Sequence, residues 1–340
     1  MFRKLTQKLG RLGRGDHGDT EATEKTGKIG SAGSAAALRR AAAQVHPQYR
    51  QAVFGAAAGS VAGVPEKLVA QAIAQQLRDS SLRRNTVPRL PAVIPLLLQQ
   101  LRDPKSSARN YVAVIRQDPV IATAVLKIAN SAYFNPHRKR IENFEHAVVT
   151  LGIDGLRMVL STAVLQPIVR DQHNKLPQYI WDHSLACAIC CQQLAQAARL
   201  DPFKAYLLGL VHDVGVVTLF NQLQLRSAEY LGSQTPAPAL LLQLVDELAQ
   251  PLAYWIAQDW QLPADIVRAL AAQAEAPGAR EPALSDILRR ANCVSEGYLL
   301  VQMEMMTGET LEALIASLGC PDNLLQQLDN AFADPLAHTH

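Results

Sequence analysis

The chain has 340 residues, 49% of them apolar and only 5% aromatic, with a formal net charge of +3. That apolar share can fill a large core and excludes a wholly disordered chain. The near-balanced charge excludes a polyanion-binding surface spread over the whole molecule, so no specific nucleic-acid contact is expected.

Residues 1–40 hold nine Lys and Arg against four Asp and Glu, a local +5. At the very start, Phe2, Leu5, Leu9 and Leu12 recur at helical spacing, and Arg3, Lys4, Lys8, Arg11 and Arg14 flank them with no acid between. Such a segment suits weak peripheral contact with an anionic membrane or a protein partner. A frayed, solvated tail explains the same residues, because isolated helices this short are marginal. No signal peptide is expected, since Met1-Phe2-Arg3-Lys4-Leu5 lacks an apolar core and a small-residue cleavage site. Gly, Ser, Thr and charge then predominate, so residues 1–34 are expected to form a disordered basic segment.

Residues 35–84 read as a helical extension, interrupted by Gly55, Gly59 and Gly63 and restarted at Pro65. The apolar run Ala52 to Val64 is too short to cross a bilayer, and no longer uninterrupted run is seen. Val87-Pro88-Arg89-Leu90-Pro91 is extended, and an apolar stripe at Val93, Ile94, Leu97, Leu98 and Leu101 follows. Asp103-Pro104, Asp118-Pro119 and Asp201-Pro202 each place an acid before a Pro, the signature of a helix start. The helix after Asp118 should end near Asn130, and a basic loop, His137-Arg138-Lys139-Arg140, comes next. Arg138, Lys139 and Arg140 could meet a phosphate or an acidic partner, or simply lie in solvent.

A helix through Glu145 to Leu151 should stop at Gly152, with Asp154 starting another over Leu156–Ile168. Helices are further expected around His183, over Asp201–Asp213, Leu240–Trp260, Pro263–Ala274, Leu284–Tyr298 and Leu311–Ser317, and a long loop over Asn221–Ala239. No alternating strand pattern stands out, so the fold class is all-α. Cys187, Cys190 and Cys191 share one helix face, while Cys293 and Cys320 are isolated. Packed, reduced thiols are expected, which fits a cytoplasmic protein.

The chemistry concentrates in Gly209-Leu210-Val211-His212-Asp213-Val214-Gly215. An adjacent His and Asp in an apolar run is costly to bury unsatisfied, and together they can bind a divalent metal that activates water. His183, in Trp181-Asp182-His183-Ser184, is a third candidate ligand. After Asp213, no His appears until His338.

Five pieces occur in order: Leu90-Pro91; Gln117-Asp118-Pro119 with Ile128-Ala129-Asn130-Ser131-Ala132-Tyr133; Ala147-Val148-Val149-Thr150-Leu151-Gly152; Trp181-Asp182-His183-Ser184; and the Gly209–Gly215 run. The set resembles the HDOD domain, a relative of the HD metal-dependent phosphohydrolases, over about residues 85–300. The resemblance implies a two-lobed helical domain, with residues 85–175 as its N-terminal lobe and 176–335 as a degenerate HD-like lobe. It further implies a non-catalytic binding or scaffold role in bacterial signalling, with a signalling protein as partner and a nucleotide or cyclic dinucleotide as a further ligand class.

The enzyme relatives need a first His, an adjacent His-Asp and a later Asp. His183, His212 and Asp213 match the first three, but Asn292 stands where the later Asp is expected. Asp286 lies about 120° away around the helix and cannot replace it. Gln250 and Gln273 occupy stretches where relatives add further His. Three ligands allow only weak binding, so no cofactor is expected beyond low occupancy by Fe, Mn or Mg. The other reading of His183, His212 and Asp213 is a buried hydrogen-bonded cluster without metal. The competing function is a metal-dependent phosphohydrolase acting on a nucleotide or cyclic dinucleotide.

Overall fold

The structure is a computed structural model that describes residues 31–55, 64–79, 81–83, 107–115, 119–169, 175–230, 238–275 and 282–333. The basic stripe Phe2 to Arg14, the Leu90-Pro91 motif, the stripe Val93 to Leu101 and the Asp103 and Asp118 caps lie outside the described residues. Among the described residues there are helices and no strands.

Two helices come first, α1 (Ser31–Phe54) and α2 (Val64–Arg78). α1 begins four residues inside the segment assigned by sequence to the linker, so among the described residues the first helix starts at Ser31. Next come α3 (Ala108–Ile115), α4 (Pro119–Ala129) and α5 (Phe144–Val169), which pack on one another. α5 is two helices joined at Gly152, whose φ of 69° lies in the left-handed region that favours glycine. The remaining helices are α6 (Lys175–Ala197), α7 (Pro202–Val211), α8 (Val214–Tyr230), α9 (Pro238–Asp259), α10 (Ala264–Ala271), α11 (Ala283–Gln302), α12 (Gly308–Ser317) and α13 (Leu324–Phe332).

α6 is the axis of the molecule, touched by α1, α5, α7, α8, α11 and α13. Its residues from His183 to Cys191 are all buried, which is what an apolar helix without a polar face requires. The expectation of packed thiols holds: Cys187, Cys190, Cys191 and Cys293 are free and buried, and Cys320 is half-buried. α7 starts as expected, with the Asp201 carboxylate accepting from the Phe203 and Lys204 amides at 3.0 and 3.1 Å.

Two expectations are corrected. The loop assigned to Asn221–Ala239 is helical through Tyr230, because Leu223 and Ser227 pack inward and Arg226 bonds Gln76 of α2 at 2.6 Å. Two apolar stretches, Phe144–Gln166 and Pro202–Ser227, are long enough to cross a membrane by length and composition. Each runs through a break in the helix, at Gly152 and at His212–Asp213, and 83% of the second window is buried inside the protein.

The glycines around the His-Asp pair set helix spacing. A Cβ at Gly209 would stand 2.4 Å from the Ala188 Cα of α6, and one at Gly215 would stand 2.1 Å from the Ala249 carbonyl oxygen of α9. The turn between α7 and α8 is therefore pressed between α6 and α9 at near-backbone contact. Gly215→Ala must push α8 off α9 and should cost about 1–3 kcal/mol. An unchanged urea midpoint for this variant would contradict that packing.

Candidate metal centre

His212 ends α7 and Asp213 opens α8, whose Val216 and Val217 amides bond the Asp213 carbonyl. This placement suits the Asp213 carboxylate, since a helix N-terminus favours an anion. His183 comes from the middle of α6, one element away, and is buried. The three candidate ligands do converge: one donor atom from each of His183, His212 and Asp213 lies within 4.8 Å of the others.

Asp213 Oδ2 accepts from His183 Nδ1 at 2.6 Å and lies 3.4 Å from His212 Nε2. Burial alone would push the Asp213 carboxyl up, but the charges of His212 and His183 and the His183 hydrogen bond outweigh it and hold it at about 2. Burial would likewise lower His183, but Asp213 raises it above its ordinary value. His212 Nδ1 donates to the Gly209 carbonyl at 2.7 Å, so its Nε2 is the nitrogen turned to the site. That Nε2 faces only oxygens, Asp213 Oδ2 and, at 3.2 Å, Asn292 Oδ1.

That ring nitrogen and the Asp213 oxygen form a mixed nitrogen and oxygen donor set that suits a divalent cation. His183 Nε2 is buried with no hydrogen-bond partner, a further orphaned donor atom. Two imidazoles and one carboxylate, one ring fixed by a backbone carbonyl, fit a divalent transition metal. Burial and Cys191 push the thiol of Cys187, beside the pair, well above its ordinary pKa.

Asn292, which the sequence placed at the missing acid, does face the site, and its Nδ2 donates to Glu296 Oε1 at 3.4 Å. Gln250 and Gln273 line the same cavity, but the Gln273 amide is engaged by the Ser285 hydroxyl at 2.7 Å. The cavity holds about 170 Å³ and is otherwise walled by apolar side chains such as Val216, Ala253 and Leu288.

The sequence reading placed α1 in a helical extension and gave it no part in the site. Tyr49 stacks beside His183 with ring centroids 5.1 Å apart, and Arg50, Val53 and Phe54 complete the cavity wall. Burial, with the nearby charges of Asp213, Glu296 and Asp182, holds the Tyr49 hydroxyl well above its ordinary pKa. His46 Nδ1 pairs with Glu296, and its Nε2 faces Cys293 Sγ at 3.8 Å. Burial would lower His46, but Cys293 and Glu296 together raise it to about 10. Glu296 was readable in principle: it is a lone acid between Cys293-Val294 and Tyr298-Leu299, and a buried acid needs a partner.

Arg138, Lys139 and Arg140 are exposed and do not line the cavity. Their loop is pinned from beneath, by Asn135 Nδ2 donating to the Lys139 carbonyl at 2.6 Å and by Asn130, which bonds both Leu126 and Ile141.

The helical architecture and the His, His-Asp constellation define an HD-like domain. The model of the HDOD domain matches residues 87–276, more than half of the chain, and the chain belongs to that family. Among solved structures, a proposed metal-dependent phosphohydrolase from Shewanella amazonensis SB2B superposes with a TM-score of 0.58 at 21% identity, over 80% of this chain and 99% of that one. An HDOD domain protein from Geobacter sulfurreducens gives 0.55 at 20% identity, over 80% of this chain and 96% of that one. A proposed signal transduction protein from Marinobacter aquaeolei VT8 gives 0.52 at 18% identity, over 89% and 65%. An uncharacterized protein of Treponema pallidum (strain Nichols) is 24% identical over 225 residues, 64% of this chain and 44% of that protein, so the chain spans less than half of that relative's length.

Removing the carboxylate tests the cluster. In Asp213→Ala, both ring nitrogens of buried His183 lack a partner, and stability should fall by about 1–3 kcal/mol. A urea midpoint equal to that of the parent protein would contradict the arrangement.

Proposed function

We propose that this HDOD chain is a non-catalytic binding or scaffold module of bacterial signalling, built on a vestigial metal site. The observation that carries the reading is the 3.2 Å contact of the Asn292 amide oxygen with His212 Nε2. A neutral amide stands where an anionic fourth ligand would complete the site, and an amide oxygen holds a hard cation less firmly than a carboxylate. The cavity supports the same reading. Its 170 Å³ falls below the several hundred Å³ of ordinary small-molecule sites, which favours an ion over a nucleotide as occupant in this arrangement.

The partner is then a signalling protein, and contact with it shifts how the helices pack. The pinned basic loop Arg138–Arg140 offers an acidic partner a rigid contact. The buried thiols agree with a reducing, cytoplasmic setting. Weak peripheral membrane contact through the basic N-terminal stripe remains part of the proposal.

The competing phosphohydrolase reading is favoured by one observation, the convergence of His183, His212 and Asp213. These residues would hold Fe or Mn, and such a metal supplies Lewis-acid activation of a phosphate and its attacking water. His183, His212 and Asp213 otherwise serve this chain by satisfying one another inside the core.

The two readings separate in a phosphodiesterase assay with added Mn2+, using bis-p-nitrophenyl phosphate and a cyclic dinucleotide. The binding module gives no turnover above that of His212→Ala. Turnover by the parent protein that vanishes in His212→Ala would overturn it.

A further inference from the structure

Glu296 is the one acidic side chain among the described residues that is buried outright, with 5% exposure. It lines the same cavity as His183, His212 and Asp213. It lies four residues after Asn292 on α11, one turn along the same face. The Asn292 amide bridges the two, its Oδ1 at 3.2 Å from His212 Nε2 and its Nδ2 at 3.4 Å from Glu296 Oε1. The other carboxylate oxygen, Oε2, is held by His46 Nδ1 of α1.

We propose that Glu296 is the fourth ligand of the metal site and that His46 holds it in reserve. The ion is a divalent transition metal that accepts mixed nitrogen and oxygen donors, Mn or Fe rather than Mg. The inference rests on reading His183, His212 and Asp213 as a metal-binding remnant. The Glu296 carboxylate stands outside the group formed by His183, His212 and Asp213 and is joined to it through the Asn292 amide, so reaching the ion requires the side-chain rotation that releases His46. With Asp213 it would supply two negative charges to a dication.

His46 and the metal compete for one carboxylate, so metal binding and the docking of α1 are linked, and the linkage is reciprocal. Tyr49, three residues after His46 on α1, covers His183, so loosening His46 also loosens the wall of the cavity. The degenerate site thereby becomes a device that reads metal through the position of α1. Two other described acids are already engaged, Asp246 by Arg50 and Asp286 by Arg290 at 2.8 Å.

The test is Mn2+ binding to the full chain, followed by loss of the free-ion electron paramagnetic resonance signal. His46→Gln removes the partner that competes for Glu296 and should tighten Mn2+ about tenfold, a size ordinary for the coupling between two linked binding events. Glu296→Gln should not tighten it, and the double variant should match Glu296→Gln. If His46→Gln binds no tighter while circular dichroism shows it folded, or if the double variant keeps the gain, the proposal is overturned. A second measurement covers the case in which His46→Gln fails to fold. At saturating Co2+, the visible absorption of the parent protein and of Glu296→Gln should differ, because one oxygen ligand is exchanged. Identical spectra would overturn the proposal. Absence of any metal binding, in every variant, would also overturn it while leaving the non-catalytic reading intact.

Discussion

One hydrogen bond, from His183 Nδ1 to Asp213 Oδ2 at 2.6 Å, ties the central helix to the turn between α7 and α8. Around it the core is almost entirely apolar: Ala186, Leu208, Ile256, Ala291 and Val294 are all buried. A carboxylate and two imidazoles cannot sit in such surroundings unless they satisfy one another or a cation. The neighbouring structure is arranged to that end. Gly209 and Gly215 bring the turn close to α6 and α9, the Gly209 carbonyl fixes the His212 ring, and Asn292 caps the remaining face.

α1 is part of this cluster. The helix carries Tyr49 onto His183 and His46 onto Glu296, so both ends of the polar cluster are closed by one element. Arg50 adds an ion pair to Asp246 of α9. A segment that precedes the family-matched residues thus forms part of the site wall. A partner able to draw α1 away would expose the cluster and relax the Glu296 contact in one movement. A binding module can use such coupling without any bond being made or broken.

Much of this was legible in the sequence. The Asp201-Pro202 start, the Gly152 break and the His212-Asp213 pair are local signals, each set by one or two residues with narrow conformational or charge demands. The convergence of His183 on that pair could be named only through the family resemblance, because the 28 residues of intervening helix and turn carry no local sign of it. The helix through Asn221–Tyr230 was missed because its polar residues suggest a loop, whereas its stability comes from packing against α2. The role of α1 was illegible for the same reason: His46 and Glu296 are 250 residues apart, and only the tertiary fold pairs them.

In the proposed binding module, the site is weak for want of an anionic ligand at position 292, where Asn292 faces His212. The most direct measurement is the metal content of the parent protein and of Asn292→Asp after identical mild purification. The account predicts well under one divalent metal per chain in the parent and close to one in Asn292→Asp, since the added carboxylate completes a four-ligand set. A parent protein already carrying one metal per chain, or an Asn292→Asp variant that retains no more than the parent, would contradict it.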